Sequence, residues 1–419
     1  MSGVGTPEEA ERYLLGLELF GMRFGLDRMH RMMTVLGHPE RAFDAIHVVG
    51  TNGKSSTVRM IAGILERHGL RTGAYLSPHL VDFWERIRVG EQDLDADAFA
   101  AAVQRAAGAA AKVDRTLPEG DRVTQFEALT AAAYAELAAQ GIDVAVVEAG
   151  LGGRYDATSV IDSRVQVLTN VGLEHQRWLG PTLRDIAREK LAVVKRRSHP
   201  PGVLVCGDLA PEVEEEARAA AHAAGARLVF APADAGVPVA APGAFQRRNF
   251  ALARAAAEAY LGELDDASVR AAAAAVQVPG RLQVVSREPL TLVDGAHNPS
   301  GMQALVEALP EVVGDRPLVA AVGVLDDKDA AAMLRALLPA CRAAVFTRAR
   351  NPRAYPPATL QSLARQLGFS PTFTTTSPAE ALRRGRELAG EEGAVLATGS
   401  IYLVADLAAP AERRRASTL

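Results

Sequence analysis

Cysteine is scarce: Cys206 and Cys341 are the only two in 419 residues, and no CxxC pair occurs. Their scarcity argues against a disulfide framework and against a thiolate zinc site. Long apolar runs are missing too. No stretch approaches the ~20 uncharged residues a membrane span needs. Charge of one sign is also lacking, since 46 Lys and Arg meet 50 Asp and Glu for a net −4. Such a balance is no electrostatic footprint for nucleic acid. The opening MSGVGTPEEAERYLL is acidic and lacks a basic segment followed by an apolar run, so no secretory signal is expected. The 36 glycines follow no three-residue period, which removes a collagen-like chain. What is present, 48% hydrophobic and 23% charged residues, matches a globular average and excludes a disordered chain. The expectation is a cytoplasmic protein of two or three domains.

Short apolar runs alternate with helical periods, the pattern of an α/β protein with a mainly parallel sheet. Ala45–Gly50 reads as a buried strand, followed by Val58, Ile61, Ala62 and Leu65 on one helix face, which Gly69 closes. Further strands are expected at Val144–Ala149, Val165–Asn170 and Val203–Gly207, with helices at Asp97–Lys112 and Glu212–Ala224. The last third repeats the rhythm. Leu290–Asp294 precedes a helix with Asn298 as its cap and Pro299 at its first position, carrying Met302, Leu305, Val306 and Leu309 on one face. Strands at Leu318–Val324, Ala343–Thr347 and Val395–Thr398 follow, and Ser377-Pro378-Ala379-Glu380 predicts a capping box. Pro and Gly interrupt the pattern in Val278–Arg287. The expected division is therefore an N-terminal P-loop ATPase-type domain, residues 1–280, and a smaller C-terminal Rossmann-like domain, residues 281–419. Glu412–Leu419 is expected to fray.

Gly50-Thr51-Asn52-Gly53-Lys54-Ser55-Ser56 lies between a predicted strand and a predicted helix. Glycines there let backbone N–H groups approach phosphate oxygens, and the helix N-terminus adds positive potential. Lys54 would neutralise the β- and γ-phosphates while a hydroxyl reaches Mg²⁺. Val48 stands where the full P-loop pattern has its first glycine, so the match is incomplete by one residue.

GTNGKS followed by Tyr75-Leu76-Ser77-Pro78-His79-Leu80 resembles the folylpolyglutamate synthase/dihydrofolate synthase family, a branch of the Mur ligase superfamily. The resemblance extends through Glu148-Ala149-Gly150-Leu151-Gly152-Gly153-Arg154-Tyr155-Asp156-Ala157-Thr158, Glu174-His175, and Arg188-Glu189-Lys190. It continues with Gln246 and Asn249, Pro279-Gly280-Arg281, Asp294-Gly295-Ala296-His297-Asn298-Pro299, Asp327-Lys328-Asp329 and Thr398-Gly399-Ser400. Each motif is short, but their common order is highly specific.

The resemblance implies an amide ligase. ATP phosphorylates a substrate carboxylate, and the amine of L-glutamate then displaces phosphate. The first step brings two anions together and demands dense positive charge. By resemblance, ATP is bound by Asn52, Gly53, Lys54, Ser55, Ser56, Asn249, Arg281 and Asp294, and Mg²⁺ by Ser77, Glu148 and His175. Histidine is an unusual magnesium ligand. Lys190 is implied as a carbamate that holds a second metal, which needs an uncharged amine and hence a depressed pKa; a monovalent cation is a further candidate at that site. His297 is implied near glutamate and the acyl phosphate, so Lys54, Lys190 and His297 are the catalytic candidates. Pterin or folate is implied at Leu26, Asp27 and Arg28, after Phe24 and Gly25, with Thr124, Phe126, Glu127, Gly153 and Arg154. Phe126 suits either stacking on a flat ring or the core of its own helix. Domain closure is expected to exclude water from the acyl phosphate. A monomer acting on small molecules is implied.

Two departures stand out. The family usually reads GTNGKGS, where this chain has Ser55, and often has Asp before the histidine, where this chain has Glu174. Competing readings are a muramyl-peptide ligase, a P-loop NTPase that forms no bond, and a non-catalytic folate-binding protein. The first generally carries an extra UDP-binding domain, whereas only about 45 residues precede the P-loop strand here. The second leaves the DGAHNP and PGR segments unexplained, and the third leaves Lys54 and the metal-ligand candidates without a purpose.

Overall fold

Short, largely apolar segments that are buried on both faces become the inner strands of parallel sheets. In the computed structural model, which describes residues 4–18, 25–197 and 200–409, eight segments make the first sheet, the inner ones of this buried kind and the outer β3, β4 and β8 more exposed. They are β1 (Asp44–Val49), β2 (Thr72–Tyr75), β3 (Ile87–Val89), β4 (Gln92–Asp93), β5 (Val144–Glu148), β6 (Val165–Leu168), β7 (Val203–Cys206) and β8 (Arg227–Phe230). Their order is β4-β3-β2-β5-β1-β6-β7-β8. The β2–β3 and β3–β4 pairs are antiparallel and all others parallel. Phe24 and Glu412–Leu419, singled out by the sequence, lie outside the described residues.

Register decides what meets at the carboxyl ends of these strands. Val48 of β1 pairs with Glu148 of β5, and Val49 pairs with Leu168 of β6. The chain leaving β1 at Gly50 therefore emerges between Glu148 and the Thr169–Asn170 exit of β6. Open α/β sheets bind ligands at this kind of edge. The helix that follows, Lys54–Arg67, buries Val58, Ile61, Ala62 and Leu65 as its apolar spacing predicts.

The second sheet contains β9 (Gln283–Arg287), β10 (Leu290–Val293), β11 (Leu318–Val322), β12 (Ala343–Phe346), β13 (Thr372–Thr374) and β14 (Ala394–Thr398). Its order is β13-β12-β11-β14-β10-β9, with only β9 antiparallel to its neighbour. Met302, Leu305, Leu309, Met333, Leu334, Leu337 and Leu360 fill the core against it. Asn298 caps Pro299–Val313 by accepting the Gly301 N–H at 2.7 Å. At Pro378–Ala389 the predicted capping box closes on one side only. Ser377 accepts the Glu380 N–H, but the Glu380 carboxylate turns to Thr376.

The chain forms two compact units, residues 1–240 with 247–276 and residues 241–246 with 277–419. The sequence reading divided it at 280/281; the contacts assign 277–280 and the hexapeptide Ala241–Gln246 to the second unit. Among the described residues no helix is long and apolar enough to cross a membrane.

The sequence reading did not anticipate β2, which is fully buried but carries Gly73. A Cβ at Gly73 would stand 2.5 Å from Ile142 Cδ1 and 2.7 Å from Leu137 Cδ2, so both side-chain tips must move to admit one. Gly73→Ala is expected to cost about 1–3 kcal/mol by overpacking, measured as a lowered denaturation midpoint with an unchanged m-value.

Candidate active site

Gly50 leaves β1 with φ 149°, and a Cβ on it would lie 1.9 Å from Thr169 Oγ1. Only glycine fits. Thr169 Oγ1 instead donates to the Asn52 carbonyl at 2.7 Å. Asn170 grips the same residue from both sides: its Oδ1 accepts the Asn52 N–H at 3.0 Å, and its Nδ2 donates to the Asn52 carbonyl at 3.1 Å. Gly53 is left-handed at φ 83°, and a Cβ there would meet Asn249 Oδ1 at 2.5 Å. Asn249 thus lies against the loop. No side chain caps the helix starting at Lys54, whose first N–H groups carry the positive end of the helix dipole. Lys54 Nζ donates to the Thr51 carbonyl at 3.2 Å, and Ser56 is buried on the helix underside.

Glu148 ends β5 with 1% of its surface exposed. Its Oε1 accepts the Ser55 hydroxyl at 3.0 Å, and its Oε2 accepts the Ser77 N–H at 3.1 Å. Arg86 lies behind the Ser77 loop, donating Nε–H to His79 Nδ1 at 2.9 Å and Nη1–H to Ser77 Oγ at 3.5 Å. Burial and that guanidinium hold His79 neutral, well below its usual pKa. His175 opens the short helix Gln176–Leu179 in a left-handed conformation, φ 54°, with its side chain 41% exposed. Its Nε2 is 3.7 Å from Glu174 Oε1. The described residues contain no group of three or more His, Cys, Asp or Glu placed to hold a metal. The donors that do converge are hard oxygens: the Glu148 carboxylate with the Ser55 and Ser77 residues. That chemistry fits Mg²⁺.

Lys190 lies near the end of the helix Leu183–Leu191, 5% exposed, and donates to the Gly50 carbonyl at 2.8 Å. Burial, reinforced by repulsion from Lys54, pulls its pKa down to about 7. Gly153 covers this helix end so closely that a Cβ on it would be 2.6 Å from the Lys190 carbonyl oxygen.

The implied substrate residues separate into two groups. Phe126 stacks on Tyr75 with centroids 6.2 Å apart, and Gly150 passes over its ring, where a Cβ would sit 2.6 Å from Cζ. This aromatic therefore borders the loop that follows Glu148. Arg28, by contrast, is spent internally. Its Nε bonds both oxygens of Glu127 at 2.9 and 3.0 Å, and its Nη1 bonds Asp121 at 2.9 Å. Glu127 also accepts the N–H and hydroxyl of Thr124, closing the capping box of the helix Gln125–Ala139. Asp27 pairs with Arg31 at the surface, next to Leu26 at the helix start, and Arg154 pairs with Glu189.

In the second unit, the buried Asp294 carboxylate accepts the Leu282 and Ala296 N–H groups, both at 2.7 Å. Burial raises its pKa against the opposing charge of Arg281. Arg281 lies across Gly295, where a Cβ would meet its Nη1 at 2.5 Å, and His297 Nδ1–H donates to the Gly295 carbonyl at 2.9 Å. Sequence reasoning missed Thr169, Asn170 and Arg86 as site residues. Asn170 left one signal, a polar residue ending an apolar strand at the ligand-binding edge.

The Mur ligase middle domain matches residues 48–237, and the Mur ligase glutamate ligase domain matches residues 280–401. The chain is similar to a dihydrofolate synthase/folylpolyglutamate synthase of Mycobacterium tuberculosis, 34% identical over 84% of this chain and 81% of that protein. A protein of the same description from Escherichia coli is 31% identical over 96% of this chain and 95% of its own length. Among solved structures, Mycobacterium tuberculosis folylpolyglutamate synthase complexed with ADP matches with a TM-score of 0.89 and 31% identity, covering 95% of this chain and 96% of that one.

The Arg28 triad yields a prediction. Arg28→Met would strand two buried carboxylates, at an expected cost of about 3–5 kcal/mol. Arg28→Lys should recover little of it, because an ammonium cannot reproduce the fork. Urea denaturation of both variants checks this, and wild-type stability in either would remove the network's structural role.

Proposed function

The chain belongs to the dihydrofolate synthase/folylpolyglutamate synthase family of Mur ligases, which makes it an ATP-dependent ligase, and we propose that it joins L-glutamate to dihydropteroate and to reduced folates through an acyl phosphate. The observation that carries this reading is the meeting of a P-loop lysine with a buried, hydrogen-bonded acid, Lys54 and Glu148, at the carboxyl ends of neighbouring strands.

Lys54 and the uncapped N–H groups of its helix bind the triphosphate and stabilise the charge that develops as the γ-phosphoryl group moves. Ser77, Glu148 and His175 would hold Mg²⁺, which supplies Lewis-acid neutralisation of the phosphate oxygens. Asn249, Arg281 and Asp294 are assigned to ATP, and His297 to glutamate and the acyl phosphate. Phe126 is assigned to the flat pterin ring. Arg28 and Glu127 act one step back, because their charges are committed to each other; they fix the start of the helix that carries Phe126. Burial, with repulsion from Lys54, pulls the Lys190 pKa down to about 7 and so favours the uncharged amine, the form that reacts with CO₂ to give a carbamate. A monomer acting in the cytoplasm completes the reading.

The test is phosphate release with ATP, Mg²⁺ and L-glutamate, run with dihydropteroate, with tetrahydrofolate and with neither, with products weighed by mass spectrometry. Release that needs a pterin and yields one added glutamate is expected with both substrates. Release without either would instead support an NTPase. Lys54→Ala should lower turnover by about 10²–10³-fold while thermal unfolding stays unchanged. His175→Ala should raise the Mg²⁺ requirement, and an unaltered Mg²⁺ titration would remove it from the ligand set.

Lys190 supplies a pH prediction. In ¹³C-bicarbonate the wild-type protein should show a carbamate carbonyl resonance that grows as pH rises through about 7, where the buried amine loses its proton. Lys190→Arg should lack it; the same resonance in that variant would place the carbamate elsewhere.

A further inference from the structure

The segment that leaves β6, Thr169–Gly172, runs along the phosphate loop and bonds it repeatedly. The Asn170 carbonyl accepts the Thr51 N–H at 2.9 Å, and Thr51 Oγ1 accepts the Gly172 N–H at 2.9 Å. Asn52 has both of its main-chain groups taken from this side. Its N–H goes to Asn170 Oδ1 at 3.0 Å, and its carbonyl accepts from Asn170 Nδ2 at 3.1 Å and from Thr169 Oγ1 at 2.7 Å. The resemblance assigns Asn170 no role.

These bonds decide which way the peptide groups of the loop face. A trans peptide is planar, so the N–H of one residue points opposite to the carbonyl of the residue before it. With the Asn52 carbonyl drawn toward the exit of β6, the Gly53 N–H points away from it. Gly53 is left-handed at φ 83°, and a glycine turns over from such a conformation at little steric cost. Turned over, the same peptide would offer an anion a carbonyl oxygen in place of an N–H. The glycine does not oppose that change; the Asn170 and Thr169 side chains do. One amide side chain that holds both the N–H and the carbonyl of Asn52 fixes the peptide groups on either side of it. It also withdraws the Asn52 N–H from the donors open to a phosphate. We propose that Asn170 is a positioning residue of the nucleotide site, locking the Asn52–Gly53 peptide with the Gly53 N–H directed at the phosphates and the Asn52 N–H kept out of the donor set. This inference rests on the nucleotide reading above and adds the residue that orders the loop before nucleotide arrives. A side chain that only packed there would fill the same space without deciding which amides meet phosphate.

Amide hydrogen exchange of the full chain, followed by NMR with and without ADP, tests this in the unaltered protein. The Asn52 amide should be protected without ADP and change by less than about twofold when ADP is added, whereas protection of the Gly53 amide should rise by about tenfold or more. ADP affinity is then measured by calorimetry for wild type, Asn170→Ala, Thr169→Val and the double variant, with thermal unfolding showing that each is folded at the titration temperature. Asn170→Ala should weaken ADP binding by about tenfold and open the Asn52 amide to exchange. Thr169→Val keeps the shape of the side chain and should cost about threefold. Because both side chains bond one carbonyl, the double variant should lose more than the product of the two single losses. Wild-type ADP affinity in Asn170→Ala, or an Asn52 amide that becomes protected only when ADP binds, would overturn the positioning role. If Asn170→Ala is too unstable to titrate, the exchange pattern of the wild type decides alone. A wild-type protein that binds no ADP would overturn the nucleotide reading itself, a distinct result.

Discussion

Gly50 is the point on which the site depends. Three parallel strands end side by side there, and the chain must leave the middle one without colliding with its neighbours. Thr169 Oγ1 occupies the space a side chain would need, and the buried Lys190 ammonium bonds the Gly50 carbonyl. One residue without a side chain therefore allows the phosphate loop, the exit of β6 and the helix of Lys190 to converge. The strand register enforces the rest: Glu148 lies beside Val48, and Leu168 lies beside Val49. A slip in parallel pairing would reverse which side chains face each layer, so site geometry and sheet formation are one constraint.

Electrostatics explains why this convergence is chemically active. Lys190 is buried with a carbonyl as its hydrogen-bond acceptor and another lysine as a repulsive neighbour. Burial of the charge outweighs the attraction of Glu174 and Asp156, and the group lowers the cost by giving up its proton more readily. Glu148 meets the opposite problem and solves it with two donors, one from a side chain and one from the backbone. The result is a cation near its neutral point and an anion held ready, at opposite edges of one loop. Arg28, Glu127 and Asp121 contrast with both, since the one guanidinium is bonded to both carboxylates within the protein.

The parts of this arrangement that were legible in sequence are the local ones. A strand, a glycine-rich turn and a helix with a regular apolar face lie within one stretch of chain, so Lys54 and its loop follow from spacing and propensity. Glu148 and Lys190 came from short motifs, yet nothing local says that Lys190 reaches Gly50, 140 residues away. The Arg28–Glu127 pair spans 99 residues, and from sequence both groups read as ligand-facing because neither partner was visible. Strand β2 escaped for another reason: Thr-Gly-Ala-Tyr offers a single β-branched residue, and its burial comes wholly from neighbours. Strands β8 and β9 were missed because they lie at sheet edges with partly exposed residues, where the apolar signal is weak.

The loop Gly150–Asp156 shows how the same economy serves the aromatic side. Asp156 Oδ2 accepts the Leu151 N–H at 2.7 Å, and its Oδ1 holds the Thr158 N–H and hydroxyl. Thr158 Oγ1 is in turn 2.9 Å from His47 Nε2 on β1. Burial keeps His47 uncharged, with its pKa lowered to about 3, so its Nε2–H is the donor, because the threonine proton already goes to the carboxylate. A chain of neutral donors thus runs from the strand feeding the phosphate loop to the turn that covers Phe126. Gly150 and Gly153 let that turn lie flat against Phe126 on one side and the Lys190 helix on the other. Ring, amine and phosphate loop are accordingly held by one connected set of hydrogen bonds and close contacts. A side chain at either glycine would drive the turn off the ring or off the helix, which is why the segment is rich in glycine and anchored by a buried acid.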